Sequence, residues 1–526
     1  MAVSLSNKQL IAYFFVILVL SAIIGSVSLT YPFGRDQGIY AYAGKMLLEG
    51  KIDYKYVFDL KPPGVHYSFA LGQLLFGKSM QAMRFFDILW QCASGMVIFL
   101  ITIKITSSRL SGLLASFIYI FLYYRLDYWH TLQADGFLNL PFALSILLLL
   151  GENADYLKTK YFFSGVLFGC AILFKYTLVL FLPLAVLVLL YNYKNHLHEG
   201  FKKLMLFISG FIAINLIVLL FYFFSGAIGE FWDIQFVQIP KYAGLGYGTE
   251  STSFVIANII RLFFRSVYAP LIWLSVIAVV CYAFKKKLGK DILLILMWIV
   301  SSITGLIIQW KFFYYHFLVI IPSIAIGAAI FFDFIFKDFI RKYKAAVTIF
   351  SIVFLAGYLI LAFGPYKDNY ADMFSYVSSK NTLKQLYIKK GFTSDSAFMV
   401  GRTFRAVDFV KENTDSEAGI FVWGFDPLVY YLSGRHCVSR FIYNFPLYWK
   451  ENNTVFRQEF MNSVNREKPK IIFVSQHDEL YYISGYKEDS KLMLKRFPEF
   501  NKFIEDFYNY KTQIDDFYIY TLKDSI

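Results

Sequence analysis

The chain has 526 residues, of which 57% are hydrophobic and 20% are aromatic, and its formal net charge is +14. The basic residues alternate with long apolar runs and form no long arginine-rich tract, so we expect flanking charges of a membrane protein and no nucleic-acid partner. The four cysteines, three of them in apolar runs, have neither disulfide-framework nor zinc-site spacing.

The apolar runs are long enough to cross a hydrocarbon core of roughly 30 Å as helices, so they predict a polytopic α-helical membrane protein. We predict about eleven spans. They lie near residues 10–29, 80–103, 110–125, 136–151, 161–174, 176–191, 204–224, 266–284, 291–309, 317–336 and 345–363. The first run lacks a strongly basic start and a small-residue cleavage site, so we expect it to be retained.

Basic residues cluster in alternate short connections, which predicts the orientation of the spans. The clusters are Lys104 and Arg109; Lys158 and Lys160; Lys194, Lys202 and Lys203; Lys285, Lys286, Lys287 and Lys290; and Lys337, Arg341, Lys342 and Lys344. If that side is cytoplasmic, the loop at 30–79 and residues 364–526 face outward. We therefore expect a multi-pass protein of the plasma membrane.

The polar segments contain elements of their own. Residues 37–49 have helical apolar spacing before Gly50, which predicts an amphipathic helix on the membrane surface. The glycine-rich segment 225–265 suggests a mobile external loop. Beyond 363, helices at 406–413 and 426–432 alternate with strands at 420–423, 471–475 and 517–522, which predicts a small extracytoplasmic α/β domain over 364–526 after a membrane module over 1–363.

Two carboxylates at outward span ends are candidate site residues. Asp36 follows the first span, and alone it would be interpreted as a helix N-cap. Asp135 lies at the outer end of the fourth span and could also be a cap. Because acidic groups at membrane depth usually face a cavity or a partner, the pair suggests one shared site.

A lysine and a histidine in the first polar loop are further candidates. Lys61 precedes Pro62 and Pro63, whose rings restrict the backbone, so it is either a lysine aimed at a phosphate or a solvated lysine in a rigid loop. His66 is either a second phosphate contact or an interfacial histidine, and alone the second interpretation is favoured.

Cations near other outward span ends have the same ambiguity. Lys311 and His316 stand in an aromatic stretch that suits either an anionic head group or the interfacial aromatic belt. Lys175 either reaches the surface or points to a phosphate in a cavity. Gly165 and Gly169, four residues apart, are typical of helix packing. The sequence contains no phosphate-binding P-loop, serine-nucleophile elbow or zinc-protease motif, so a lipid-linked substrate fits better than a nucleotide one.

These residues, in this order, resemble the GT-C glycosyltransferases that use polyprenyl-phosphate sugars. The similarity is to family 39 protein mannosyltransferase-like proteins and to bacterial aminoarabinose transferases of lipid A. It rests on Arg35-Asp36-Gln37, Lys61-Pro62-Pro63, Asp135, the stretch from Lys311 to His316, and external-domain segments such as Phe421–Pro427. The chain departs from the first family at Gln37 and from the second at Leu60, so sugar and acceptor do not carry over.

The resemblance implies an inverting transfer of a sugar from a polyprenyl-phosphate donor to a hydroxyl of a glycan, lipid or protein acceptor. Asp36 would be the general base, and Lys61, with Lys175 or Lys311, would stabilise the departing phosphate. Asp135 would orient the acceptor or the sugar. No cofactor is firmly implied, and a divalent cation between Asp36 and Asp135 stays open.

Three alternatives remain. An oligosaccharyl or polymer ligase would use a longer lipid-linked donor. A transporter or flippase of lipid-linked sugars is disfavoured, because the polar groups cluster at one face and no internal repeat is visible. A non-catalytic sensor would give the lysine-proline-proline loop no special role.

Overall fold

The computed structural model describes residues 6–151, 159–244, 252–285, 289–391, 398–449 and 453–523. Lys158, Lys286 and Lys287 of the basic clusters, and positions 245–251 of the glycine-rich segment, lie outside the described residues. The chain divides into two compact units. The helical unit comprises Met1–Leu29, Arg84–Phe221 and Glu250–Phe374, and the sheet unit comprises Thr30–Met83, Tyr222–Thr249 and Ser375–Ile526.

The units do not coincide with the division predicted at residue 363. The helix that contains this position continues to Val377, and the first polar loop belongs to the same compact unit as the C-terminal residues. Sequence patterns locate where apolar runs end, whereas a compact unit is decided by contacts between distant segments.

Most of the helical unit is α-helix. Its helices are α1 (Asn7–Gly25), α4 (Met80–Thr106), α5 (Arg109–Tyr124), α6 (Ala134–Phe137), α7 (Asn139–Leu149), α8 (Thr159–Ile172), α9 (Phe181–Asn192), α10 (Leu197–Phe224), α13 (Thr252–Ile260), α14 (Ala269–Phe284), α15 (Lys290–Ile308) and α16 (Ile321–Val377). The ends of α4, α10 and α16 extend beyond the unit. Two short 3₁₀ segments, Tyr176–Leu180 and Tyr314–Val319, precede α9 and α16.

Helices lie where the sequence predicts apolar spans. By length and composition, the described residues contain five helices able to cross a membrane, or six if the bent pair Thr252–Arg265 and Ala269–Phe284 is one span. Four further apolar helices are shorter. The two predicted spans after residue 317 correspond to two helical stretches within Ile321–Val377, which meet at a kink where Tyr343 has non-helical dihedral angles. The polytopic helical class is confirmed, and the number eleven stays a prediction.

Helix termini and close contacts explain several local features. Ser6 begins α1 with a capping box, in which its side chain accepts from the Gln9 amide. Gly165 and Gly169 lie against α10: a Cβ on Gly165 would come within 1.9 Å of the Phe207 carbonyl oxygen. The predicted packing role of these glycines is confirmed, because the absent side chains let two backbones approach.

The sheet unit contains α2 (Arg35–Leu48), α3 (Gly64–Phe76), α11 (Ile228–Trp232), α12 (Ile239–Gly244), α17 (Leu383–Lys390), α18 (Val400–Asn413), α19 (Leu428–Ser433), α20 (Asn453–Arg466), α21 (Tyr481–Ser484), α22 (Ser490–Leu494) and α23 (Pro498–Phe507). The described part of segment 225–265 is thus largely helical, not an extended loop. Helical hydrogen bonds satisfy its backbone polar groups.

Five strands form one mixed sheet in the order β2-β1-β3-β5-β4. They are β1 (Gly419–Trp423), β2 (His436–Cys437), β3 (Ile471–Ser475), β4 (Tyr508–Ile514) and β5 (Phe517–Leu522). β1 is parallel to both β2 and β3, whereas β5 is antiparallel to β3 and β4. The predicted C-terminal α/β sheet is confirmed. β2 was missed because it is two residues long, and β4 because most of it is exposed and polar.

Helix α2 differs from its prediction as an amphipathic surface helix. Ten of its residues are buried, including Arg35, Gln37 and Tyr40. Helices α3 and α19 both pack against it. Polar residues that the pattern assigned to a solvated face are therefore enclosed by segments distant in sequence, and the prediction was wrong for that reason.

Candidate functional site

Asp36 stands in the first turn of α2, one turn from the positive end of the helix dipole. The N-cap is Gly34, whose amide donates to Oε1 of Gln37 at 3.0 Å. The cap interpretation of Asp36 is therefore not realised. Its carboxylate is half-buried, and the buried helix behind it fixes its position.

Tyr443 packs against Phe58 of the first polar loop and is within reach of the Asp36 charge. Burial raises the pKa of the Tyr443 phenol well above its ordinary value, and the charges of Asp59 and Asp36 raise it further. The ring of Tyr443 also lies 6.0 Å from Phe58 and 5.1 Å from Phe425. Both carboxylates thus lie near one phenol in the sheet unit.

Lys61 is held through its main chain. Its carbonyl oxygen accepts from the Tyr54 hydroxyl at 2.8 Å and from the Gln235 amide at 3.4 Å. Pro62 and Pro63 are buried, and Pro63 is the N-cap of α3. The predicted rigid lysine-proline-proline loop is what the structure contains, with the Lys61 residue half-buried.

His66 lies between two carboxylates. Its Nδ1 donates to Asp53 at 2.9 Å and its Nε2 donates to Asp59 at 2.8 Å, and all three side chains are almost completely buried. The Tyr222 hydroxyl donates to the second oxygen of Asp53 at 2.9 Å. Both ring nitrogens are used, so His66 is a structural bridge of the loop and is not placed to contact a phosphate.

The two carboxylates also set the protonation of His66. Burial acts to lower the pKa of the imidazole, but the hydrogen bonds and charges of Asp53 and Asp59 outweigh it and raise the pKa from 6.5 to about 9. At neutral pH the ring is an imidazolium with two donors. It ties the stretch before Lys61 to the helix after it.

In the helical unit, Asp135 and Lys175 form a buried ion pair, in which Lys175 Nζ donates to Asp135 Oδ1. Asp135 stands in the first turn of α6, and Lys175 comes directly before the 3₁₀ segment 176–180. The sequence predicted these residues as separate contacts, whereas the structure brings them together.

Lys311 and His316 lie in the segment between α15 and α16. Trp310 and Phe312, on either side of Lys311, have φ of 58° and 46°, a left-handed backbone that is unfavourable for bulky residues and often found at functional sites. His316 is buried, with its ring 4.6 Å from that of Tyr315. The 3₁₀ turn that carries His316 packs against α6, the helix of Asp135.

The candidate residues therefore fall into two sets. Asp36, Lys61 and His66 belong to the sheet unit, and the other four belong to the helical unit. Sequence reasoning gave no role to Asp53, Asp59 or Tyr222. Asp59 stands seven positions before His66, which was a local signal for that contact, but Tyr222 is 169 positions from Asp53 and no local pattern connects them.

Metal binding has little support from side-chain clustering. The described part of the chain holds no group of three or more His, Cys, Asp and Glu residues arranged for a metal ion. The cation considered between Asp36 and Asp135 stays a hypothesis. We assign no chemical step to a metal.

A sequence profile described as dolichyl-phosphate-mannose-protein mannosyltransferase matches residues 60–222. The matched segment contains Lys61, His66, Asp135 and Lys175, and it begins after Asp36. No curated protein matches the chain.

Solved structures show the fold. ArnT from Cupriavidus metallidurans bound to undecaprenyl phosphate is 14% identical, with a TM-score of 0.56 over 99% of this chain and 99% of that chain. The apo oligosaccharyltransferase of Archaeoglobus fulgidus is 12% identical, with a TM-score of 0.52 over 93% and 72%. That oligosaccharyltransferase tethered to an acceptor peptide containing the NVT sequon is 13% identical, with a TM-score of 0.51 over 97% and 74%.

At such low identities the similarity establishes the fold, and the profile match adds a similarity over residues 60–222. Apolar helices long enough to cross a membrane and a small C-terminal sheet complete the agreement. The protein is a multi-pass membrane protein with the fold of ArnT, and its residues 60–222 are similar to the dolichyl-phosphate-mannose-protein mannosyltransferases.

Proposed function

We propose that the protein transfers a sugar from a polyprenyl-phosphate donor to an acceptor hydroxyl at the outer face of the plasma membrane. The profile match and the fold shared with ArnT support a lipid-linked donor. The observation that carries the assignment is that Asp36, in the first turn of the buried helix α2, and the Lys61 loop, held by two hydrogen bonds to its main chain, belong to one compact unit.

Asp36 is the general base in this reaction. The acceptor oxygen forms a bond to the anomeric carbon while the bond from that carbon to the phosphate oxygen breaks. The acceptor proton goes to Asp36, and the lipid phosphate leaves with the electron pair. A half-buried carboxylate in the first turn of a fixed helix suits this role, since proton transfer needs a base of defined position.

Lys61 stabilises the departing phosphate in our proposal. Tyr54, Gln235 and two buried prolines fix the Lys61 backbone. The side chain that carries the ammonium therefore extends from a fixed Cα position. A preorganised cation at a leaving group lowers the barrier because little reorganisation accompanies the reaction. The His66 bridge keeps this loop in place and contacts no substrate.

The helical-unit residues have roles that follow from their pairing. Asp135 and Lys175 act as one ion pair whose carboxylate orients the acceptor or the sugar. Lys311 and His316 lie in a strained aromatic segment that we assign to binding of the donor head group. An apolar groove between the spans takes the lipid tail.

The test is a reconstituted assay with polyprenyl-phosphate sugars of several kinds, in which loss of donor and appearance of free lipid phosphate are followed. Asp36→Asn should lower turnover at least 100-fold, at the lower end of what general acid–base catalysis contributes, about 10²–10⁴. Glu49→Gln is the matched control, because Glu49 caps the far end of the same helix in an exposed position. Near-normal turnover by folded Asp36→Asn protein would remove the base assignment.

A ligase that transfers a longer glycan is the second candidate, because the fold is also that of the Archaeoglobus fulgidus oligosaccharyltransferase. Offering lipid-linked oligosaccharides beside lipid-linked monosaccharides distinguishes the two. Consumption of the oligosaccharide donors alone would favour the ligase.

A further inference from the structure

Arg35, the residue before the proposed base, is itself buried. It is 3% exposed, and its Nε donates to the Phe425 carbonyl oxygen at 3.0 Å. Its guanidinium carbon also lies 5.4 Å from the ring centre of Phe398 and 5.1 Å from that of Phe425. A guanidinium held by a carbonyl and two aromatic rings has little freedom to move.

The charge of Arg35 belongs to a buried ionic cluster after β1 and β3. Burial raises the pKa values of Asp426 and Asp478, and the charges of Arg402 and Arg35 act to lower both. Arg402 lies 3.7 Å from Asp426. A buried charge without a counter-charge is costly, so the carboxylates of Asp426 and Asp478 stabilise the Arg35 guanidinium at this position.

The rest of α2 touches the same C-terminal segment. The backbone of Leu428 lies so near Gly38 that an added Cβ would be 3.2 Å from its nitrogen. The Cys437 amide donates to the Tyr42 hydroxyl at 2.9 Å, and Lys45 Nζ donates to the Gly434 carbonyl at 2.9 Å. The four anchoring positions on α2 are 35, 38, 42 and 45, which is the spacing of one helix face.

We propose that Arg35 is a positioning residue for Asp36, and that segment 425–437 serves as the support of the catalytic helix. This inference rests on the proposed function. Segment 425–437 holds the face of α2 formed by positions 35, 38, 42 and 45. Because Asp36 directly follows Arg35, holding that face also fixes the direction of the Asp36 carboxylate. The C-terminal sheet thereby takes a part in catalysis without contacting substrate.

The first experiment uses the full-length protein with Arg35→Gln, Arg35→Lys and the control Lys411→Gln. Arg35→Gln should lower kcat roughly 10- to 100-fold, the range that a displacement of about 1 Å costs, while KM for the donor changes less than threefold. Arg35→Lys should recover part of kcat because it restores a cation and a donor. Lys411→Gln, which removes an exposed cation of α18 outside the four anchoring positions, should stay within twofold of wild type.

Hydrogen exchange distinguishes a positioning role of Arg35 from a contribution to protein stability alone. Hydrogen exchange of peptides covering residues 35–48 should accelerate in Arg35→Gln, while peptides of β3 and β5 stay as in wild type. Unchanged exchange in 35–48, or a fall in kcat that matches the folded fraction, would overturn the positioning role. A wild-type protein that transfers no sugar from any lipid donor, with faster exchange in the variant, would overturn the proposed function and leave the anchoring intact.

Gly38→Ala gives an independent variant in case the loss of Arg35 prevents folding. It changes no charge and presses a methyl group against Leu428. We expect reduced kcat with the donor KM unchanged. Full activity of this variant, with α2 peptides exchanging as in wild type, would contradict the support role of the segment.

Discussion

Lys175 donates a hydrogen bond to Asp135 in a buried ion pair that joins positions 40 apart in the sequence. The contact gives a partner to each of two charges that would otherwise be costly within a membrane bundle. It also makes the two residues one functional group, so their substitutions should not act independently.

Removal of either partner should destabilise the helical unit. Lys175→Met leaves the Asp135 carboxylate buried without its cation, at a cost of about 3–5 kcal/mol. Thermal unfolding in detergent measures this loss. The double variant Asp135→Asn, Lys175→Met should recover part of it, because no isolated charge is left.

Lys202→Met is the matched control for that series. Lys202 is paired with Glu199 at 3.2 Å, but both side chains are about half exposed. Exposed pairs contribute roughly 0–1 kcal/mol, so the control should unfold almost as wild type does. Equal losses of stability in Lys175→Met and Lys202→Met would show that the buried pair stabilises the protein no more than an exposed pair does.

The His66 bridge predicts a pH dependence of stability. The pKa of His66 is raised from 6.5 to about 9, so the charged ring favours the folded state. This contribution is complete below pH 6.5, falls as the pH rises from there, and is lost above about pH 9. At about 1.4 kcal/mol per unit it amounts to roughly 3 kcal/mol.

The measurement compares unfolding of wild type and His66→Gln at pH 6, 7.5 and 9.5, values chosen on both sides of the roughly 6.5–9 window in which the contribution declines. Taking the difference between the two proteins cancels the groups that titrate in both. The stability gap should be largest at pH 6 and smallest at pH 9.5. A gap that stays constant over this range would contradict the charged bridge.

Lys61→Gln should impair turnover while the protein stays folded. The side chain is the proposed cation for the leaving phosphate, and loss of one preorganised electrostatic partner typically costs about 10²–10³ in kcat. Steady-state kinetics with a lipid-linked donor measures this. Lys55→Gln serves as the control, because Lys55 lies in the same loop and donates to the Gly226 carbonyl at 3.0 Å. Equal effects of the two changes would argue against a specific role for Lys61.

Gly165→Leu should disrupt packing of α8 against α10. Even the Cβ would meet the Phe207 carbonyl oxygen at 1.9 Å, so the helices must separate. We expect low yield of folded protein in detergent, measured by size-exclusion chromatography. Gly357→Ala is the control: nothing lies within 4 Å of its Cβ position, and alanine there should be neutral or favourable by about 0.5–1 kcal/mol. Normal yield and unfolding of Gly165→Leu would contradict the close approach.

Local pattern determined much of the fold. Apolar runs located the long helices, and alternation of β-branched and aromatic residues located β1, β3 and β5, since both signals depend on neighbouring residues alone. Short motifs likewise identified Asp36 and Lys61. By contrast, β2 was missed because two residues carry no pattern, and β4 because most of it is exposed and polar.

The sequence by itself determined the membrane class, the main helices and the positions of the candidate carboxylates and lysines. Only the tertiary structure decided their partners: Lys175 with Asp135, His66 between Asp53 and Asp59, and Arg35 at the Phe425 carbonyl. The physical reason is that a buried charge is satisfied by whichever group the fold brings within hydrogen-bonding distance. In these cases that group stands 7, 13, 40 or 390 positions away, and only the nearest of these separations is within reach of a local pattern.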